Sequence, residues 1–220
     1  MWTAKPAAPG PFASSHPNEV MMSKLLVSLT SPYSSKVRMA ATHSGYQFET
    51  VLTDTSKPNA DLSSVNPLGK IPVLISEKDG AVFDSAVIMQ YLNRETGGKL
   101  LPRSAAKRLE AERLEAIADG INDCAVAYIY EQRQRPETHI YQGWLDKQWG
   151  KVTTALDYVE SGSPKLPAKI HSGHIALAAA LGYLNLRFPG WDRGRPKLKR
   201  WLKKFADKHA ELARMLPQVP

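Results

Sequence analysis

Thr30-Ser31-Pro32-Tyr33-Ser34-Ser35-Lys36-Val37-Arg38 follows directly on Lys24-Leu25-Leu26-Val27-Ser28-Leu29, and this junction decides how the chain is read. The apolar run is a short buried strand, and Ser31-Pro32 closes it with a turn signal. Ser34 or Ser35 offers a cap for a helix through Val37, Met39 and Ala40, with Gly45 as its C-terminal stop. A hydroxyl therefore stands at the exit of a strand, just ahead of a helix. Taken alone, Ser31-Pro32 is as good a turn as it is a site.

Working outward, Phe48 to Thr53 and Ile71 to Ser76 read as further strands, separated by a long irregular stretch. Lys78-Asp79-Gly80 is a hairpin turn with Ala81-Val82-Phe83 returning. Asp84 caps a helix in which Val87, Ile88, Tyr91 and Leu92 recur at helical spacing, and Gly97-Gly98 stops it. The order strand, helix, strand, strand, strand, helix gives a small α/β sheet, parallel across the first helix and antiparallel in the hairpin. Beyond it strand signals cease. Leu114, Ile117, Ala118, Ile121, Ala125, Tyr128 and Ile129 mark one long helix; Tyr141, Leu145, Gln148, Val152, Leu156 and Val159 mark another, ended by Ser161-Gly162-Ser163-Pro164. Residues 175–186 are apolar nearly all round, which places a helix at the centre of a bundle. Pro189-Gly190 stops it, and residues 196–215 form a final basic helix.

The expected fold is thus α/β plus all-α: an extension over 1–22 without periodic pattern, a sheet domain over 23–98, a linker over 99–104 and an all-helical domain over 105–220. Residues 1–22 are rich in proline, alanine and serine, lack the apolar core of a secretory signal, and are expected to be disordered. No apolar run approaches the roughly 20 residues that span a bilayer. The single cysteine, Cys124, excludes an internal disulfide and a four-cysteine zinc site, and suits a reducing compartment. Its place between Ile121 and Ala125 reads as a buried, inert thiol.

Three motifs in fixed order, Thr30–Arg38, Asn66-Pro67-Leu68-Gly69-Lys70-Ile71-Pro72-Val73-Leu74 and Phe83-Asp84-Ser85, carry a resemblance. From residue 22 onward the chain resembles a glutathione S-transferase, of the branch in which a serine or cysteine directly precedes a proline at the exit of the first strand. The resemblance implies a thioredoxin-like N-terminal domain and a helical C-terminal domain. It implies that Ser31 stabilises the thiolate of glutathione, a co-substrate held without any metal. Thr30 and Ser34 remain rivals for that contact. A free thiol with pKa near 8.5 is mostly protonated at neutral pH, and a donated hydrogen bond together with a helix N-terminus favours its charged form.

By the same resemblance, Ile71-Pro72 is the cis-proline position whose preceding residue pairs with the tripeptide backbone. Asp84 takes the γ-glutamyl ammonium, while Ser85 and helix-terminal N–H groups take its carboxylate. Tyr33 borders the tripeptide. Lys57 and Lys70 are candidates for the glycyl carboxylate. The electrophile would be small and hydrophobic, with Tyr33, Tyr128 and Arg133 as candidate lining because the first loop and first long helix must border the cleft. A cytoplasmic homodimer acting in detoxification is implied, with no membrane association.

One feature departs from the pattern. Where the family has a Ser/Thr-x-x-Asp capping box before its central helix, this chain has His171-Ser172-Gly173-His174, so a cap there depends on pH. The net charge of +8 is concentrated in residues 187–215, with ten basic and three acidic side chains. No nucleic-acid motif accompanies that patch, and Trp201 falls in register with Leu198 and Phe205 as a core residue, so a nucleic-acid partner is not expected. A non-catalytic binding or chaperone protein on the same fold, and a glutathione-dependent peroxidase or thiol transferase, are the alternatives.

Overall fold

The computed structural model describes residues 22–162, 165 and 167–219. The expectation for the N-terminal extension therefore lies almost wholly outside the described residues, as does the Ser163-Pro164 end of the second long helix.

Four short strands form one mixed sheet: β1 (Lys24–Val27), β2 (Glu49–Leu52), β3 (Val73–Ser76) and β4 (Gly80–Val82), in spatial order β2-β1-β3-β4. β2 pairs parallel with β1 across helix α1 (Pro32–Ser44), while β3 runs antiparallel to both β1 and β4. Leu25, Leu26 and Val27 are fully buried, as expected of a central strand covered on both faces. Helix α3 (Ser85–Glu95) follows the hairpin and packs with α1 on one face of the sheet.

Two sequence expectations change in this half. The cap of α1 is Ser31, not Ser34 or Ser35: its Oγ accepts the Ser34 N–H at 3.2 Å. Pro32 explains the earlier start, since its fixed φ and missing N–H suit the first helical position. Ser34 and Ser35 consequently lie inside the helix and are buried. Within the supposedly irregular stretch lies a short helix, α2 (Ala60–Val65), capped by Asn59 Oδ1 on the Leu62 N–H at 2.9 Å. Six residues with one buried side chain, Leu62, leave no periodic pattern to read.

The second half is helical: α4 (Ala105–Gln134), α5 (Gln142–Gly162), α6 (Ser172–Arg187), α7 (Pro196–Lys208) and a single turn, α8 (Ala210–Ala213). Every residue from Ser172 to Leu184 in α6 is buried, so this helix is the axis of the core. It lies close against α4 at Gly173, where an added Cβ would stand 2.5 Å from the Ala111 carbonyl oxygen. The expected single helix over 196–215 is broken at His209 (φ −129°, ψ 55°). The break turns the C-terminus back onto α1, where Ser35 Oγ donates to the Met215 carbonyl at 2.7 Å. Gln218 N–H then reaches the Leu29 carbonyl at 3.1 Å. Among the described residues no helix is long and apolar enough to cross a membrane.

Candidate functional site

The loop between β1 and α1 puts Ser31 at the N-terminus of a thirteen-residue helix, half-exposed. Its oxygen accepts the Ser34 amide, so its own proton remains free to be donated outward. Both rival hydroxyls lie against Ser28. Ser34 is fully buried and accepts the Ser28 N–H at 3.3 Å; Thr30 Oγ1 lies 3.1 Å from Ser28 Oγ. Burial alone removes Ser34 from contact with any ligand.

Ile71-Pro72 is a cis peptide, placed just before β3. Neither the N–H nor the C=O of Ile71 meets a backbone partner among the described residues, because pairing with β1 begins at Val73. Asn66 fixes the approach to this point: its Nδ2 donates to the Lys70 carbonyl at 2.7 Å and its Oδ1 accepts the Leu68 N–H at 3.0 Å. Asp84 is exposed at the head of α3, and its Oδ1 accepts the amides of Ala86 at 3.1 Å and Val87 at 3.5 Å. Ser85 is 6 % exposed and its hydroxyl makes no hydrogen bond among the described residues. Lys57 and Lys70 are both exposed, in the loops before and after α2.

Along the face of α4 turned to α1, Glu115, Asp119 and Asp123 recur every four residues and meet two side chains of α1. Lys36, with no solvent exposure, sets its Nζ 2.7 and 2.9 Å from the two Asp119 oxygens and 3.6 Å from Glu115. Tyr33 donates its hydroxyl proton to Asp123. Burial and the neighbouring carboxylate push the Tyr33 phenol far above its ordinary value, so it stays protonated and remains a donor. Burial also raises the Asp119 carboxyl, against the opposing pull of Lys36. These rungs fix α1, and with it Ser31, against the helical half.

Of the residues expected on the electrophile side, Tyr33 meets Asp123 on the face of α4 turned to α1, and Tyr128 lies on another face of that helix. At about 100° per residue, Tyr128 lies roughly 140° around α4 from Asp123. Its ring packs on Phe188 at 5.3 Å and Trp149 at 6.2 Å, inside the bundle. Exposed Tyr130, seven residues after Asp123, shares the face of Asp123, and exposed Arg133 follows it one turn later. Lys36, Asp119 and Asp123 belong to no motif. A lysine on the apolar side of α1 with acids at four-residue spacing on α4 was the one available signal.

Residues 30–95 match the model of the glutathione S-transferase N-terminal domain and residues 142–204 that of the C-terminal domain. The chain belongs to the glutathione S-transferase family. It is 34 % identical over 182 residues to the uncharacterised GST-like protein YibF of Escherichia coli K12, covering 80 % of this chain and 89 % of that one. A glutathione S-transferase from Methylobacillus flagellatus KT, solved with glutathione bound, superimposes with a TM-score of 0.82 at 34 % identity, over 89 % of this chain and 100 % of that one. A family member from Pseudomonas fluorescens Pf-5 with bound glutathione gives 0.83 at 32 %, over 90 % of this chain and 100 % of that one. The same Pseudomonas protein was solved with S-(propanoic acid)-glutathione, giving 0.77 over 89 % of this chain and 100 % of that one. The small mixed sheet followed by helices is accordingly the thioredoxin-like domain and helical domain of this family.

Proposed function

We propose that the protein is a glutathione transferase in which Ser31 holds the tripeptide sulfur as thiolate for attack on a small electrophile. The observation carrying this reading is the state of the Ser31 hydroxyl. Its oxygen accepts the Ser34 N–H at the head of α1, which leaves its proton available to a sulfur brought there. Hydrogen bonding to the charged form and the helix N-terminus both lower a thiol pKa. One pKa unit corresponds to about 1.4 kcal/mol, within reach of the two effects together.

The remaining glutathione contacts follow the same logic. Ile71 offers its unpaired backbone N–H and C=O to the cysteinyl backbone beside Pro72, as an added strand. Asp84 uses the oxygen not engaged by α3 amides for the γ-glutamyl ammonium, and the Ser85 hydroxyl takes the adjacent carboxylate. Lys57 or Lys70 meets the glycyl carboxylate. Glutathione-bound relatives at 32–34 % identity support this assignment, and the relative holding S-(propanoic acid)-glutathione supports a site that accepts a group attached to sulfur. As in the family at large, the working unit is a cytoplasmic homodimer, with residues 23–98 as the glutathione-binding domain.

Thiol-transferase chemistry is disfavoured because it needs a protein thiolate. Cys124 lies on α4, half-buried, with its pKa raised by burial. The test is a pH titration of bound glutathione by ultraviolet absorbance in wild type and Ser31→Ala. A depressed thiol pKa in wild type that returns toward its free value in the variant is the expected result. An unshifted thiol in wild type favours a non-catalytic glutathione-binding role.

A further inference from the structure

The C-terminal segment is seated on α1 and α6 and ends against the loop that carries Ser31. After the break at His209, the chain returns to α1, where Ser35 and Thr42, seven residues apart, share a face. Ser35 Oγ donates to the Met215 carbonyl at 2.7 Å, and Thr42 Oγ1 donates to Met215 Sδ at 3.5 Å. Pro217 is buried and, with Leu216, occupies the space beside Gly182 of α6. A Cβ at Gly182 would stand 3.0 Å from Pro217 Cδ and 3.1 Å from Leu216 Cδ2. Glycine is a poor residue for a helix interior, so the segment lying in this notch accounts for its presence in the buried α6. One residue further, the Gln218 N–H reaches the Leu29 carbonyl at 3.1 Å.

Residues 28–34 are otherwise bonded to one another. Ser31 N–H meets the Ser28 carbonyl at 3.2 Å, and Ser28 N–H meets Ser34 Oγ at 3.3 Å. The Ser28 and Thr30 hydroxyls lie 3.1 Å apart, and Ser31 Oγ accepts the Ser34 amide at 3.2 Å. On the helix side, Tyr33 and Lys36 hold α1 to α4 through their side chains. On the strand side, the Gln218–Leu29 contact is, among the described residues, the one backbone hydrogen bond joining residues 28–31 to a distant part of the chain. A loop so bonded within itself shifts as a unit, and its outer tie sets where Ser31 stands. A hydrogen bond weakens steeply with distance and angle, and a misplacement of about 1 Å is enough to forfeit much of a positioned contact.

Resting on the transferase reading, we propose that the C-terminal segment is a strap that positions Ser31, and that the Gln218 backbone N–H is its working contact. Gln218 acts through Leu29 on the Ser31 hydroxyl, and so on the fraction of bound glutathione held as thiolate. It is a positioning residue. Because the donor is the backbone, the effect is indifferent to the side chain at 218 and depends on the N–H being there.

The test is ultraviolet titration of the thiolate of bound glutathione, with thermal melts as the check on folding. Gln218→Pro removes the N–H, Gln218→Ala keeps it, and a chain shortened by residues 218–220 removes it without a proline's constraint. Gln218→Pro and the shortened chain are each expected to raise the bound thiol pKa by about one unit, a tenfold loss of thiolate below it. Gln218→Ala should match wild type. In a Ser31→Ala protein, neither change should shift the thiol further, because the effect passes through that hydroxyl. A thiol pKa unchanged in either N–H-deficient variant, with a depressed value in wild type, overturns this inference and leaves the transferase reading standing. So does an equal shift in Gln218→Ala, or a shift of the same size without Ser31. An undepressed thiol in wild type overturns the transferase reading, and the role of the strap with it.

Discussion

Lys36→Met removes the one cation from a cluster that joins the two halves of the protein. The lysine side chain is wholly buried, while Glu115 and Asp119 keep 15 % and 23 % of their side-chain exposure. Removing one partner of a buried pair costs about 3–5 kcal/mol, because the other charge is left uncompensated. Residual hydration of the two acids moves the expectation to the low end, about 3 kcal/mol. For a chain of this size each kcal/mol shifts the melting point by about 2–4 °C, so the midpoint should fall by about 6–12 °C. Asp119→Asn keeps an acceptor on Nζ and leaves Glu115 in place, so it should cost about 1 kcal/mol. The triple variant Lys36→Met/Glu115→Gln/Asp119→Leu replaces the charges with apolar and neutral volume and should return to within about 1 kcal/mol of wild type. Chemical denaturation at neutral pH, followed by circular dichroism, measures all three. If Lys36→Met lies within about 1 kcal/mol of wild type, or is no worse than the triple variant, the cluster is not a charge-compensated joint. Because Tyr33 and Asp123 form the next rung, the single variant should also weaken glutathione binding.

Gly173→Ala is expected to destabilise by about 2–3 kcal/mol, since the new methyl meets the Ala111 carbonyl oxygen at 2.5 Å and Leu114 Cβ at 2.9 Å. The roughly 1 kcal/mol that alanine gains over glycine inside a helix does not offset this, and a stabilised variant in thermal melts would refute the close α4–α6 approach. At the head of α6, His174 Nε2 donates to the Lys165 carbonyl at 2.9 Å and Nδ1 accepts the His171 N–H at 3.3 Å, so only the neutral ring completes the cap. Burial, reinforced by the nearby His171, lowers the His174 pKa to about 4. Between about 6.5 and 4 the unfolded chain therefore binds the proton that the folded chain refuses. This stability is fully present above about pH 6.5 and is lost progressively down to about pH 4, an effect on the order of 3 kcal/mol. His43, His171 and His209, all lowered first by burial, add to it in the same direction. His174→Asp, which substitutes an acid that can cap without needing a neutral ring, should flatten unfolding free energy between pH 6.5 and 5; an unchanged slope assigns the effect elsewhere.

What the sequence made legible is what it writes locally. Ser31-Pro32 and Asp84-Ser85 each compress a strand exit and a helix start into two residues, and Ile71-Pro72 marks the entry to β3. The succession of strands along the chain and the buried α6 were likewise readable, because runs such as Leu25-Leu26-Val27 and Ile175–Leu184 carry their burial in composition. The joint between the two halves was not legible, for a geometric reason. Lys36 on α1 and Glu115 and Asp119 on α4 stand about 80 residues apart, and only the packing of α1 on α4 brings them together. Helix phase likewise hides the place of Tyr128, whose ring packs on Phe188 and Trp149. The tail escaped notice because the pattern in 196–215 continues through the point where His209 leaves the helix. The sheet half is thus encoded in short motifs. The helical half is encoded in helix phase, which no short motif records.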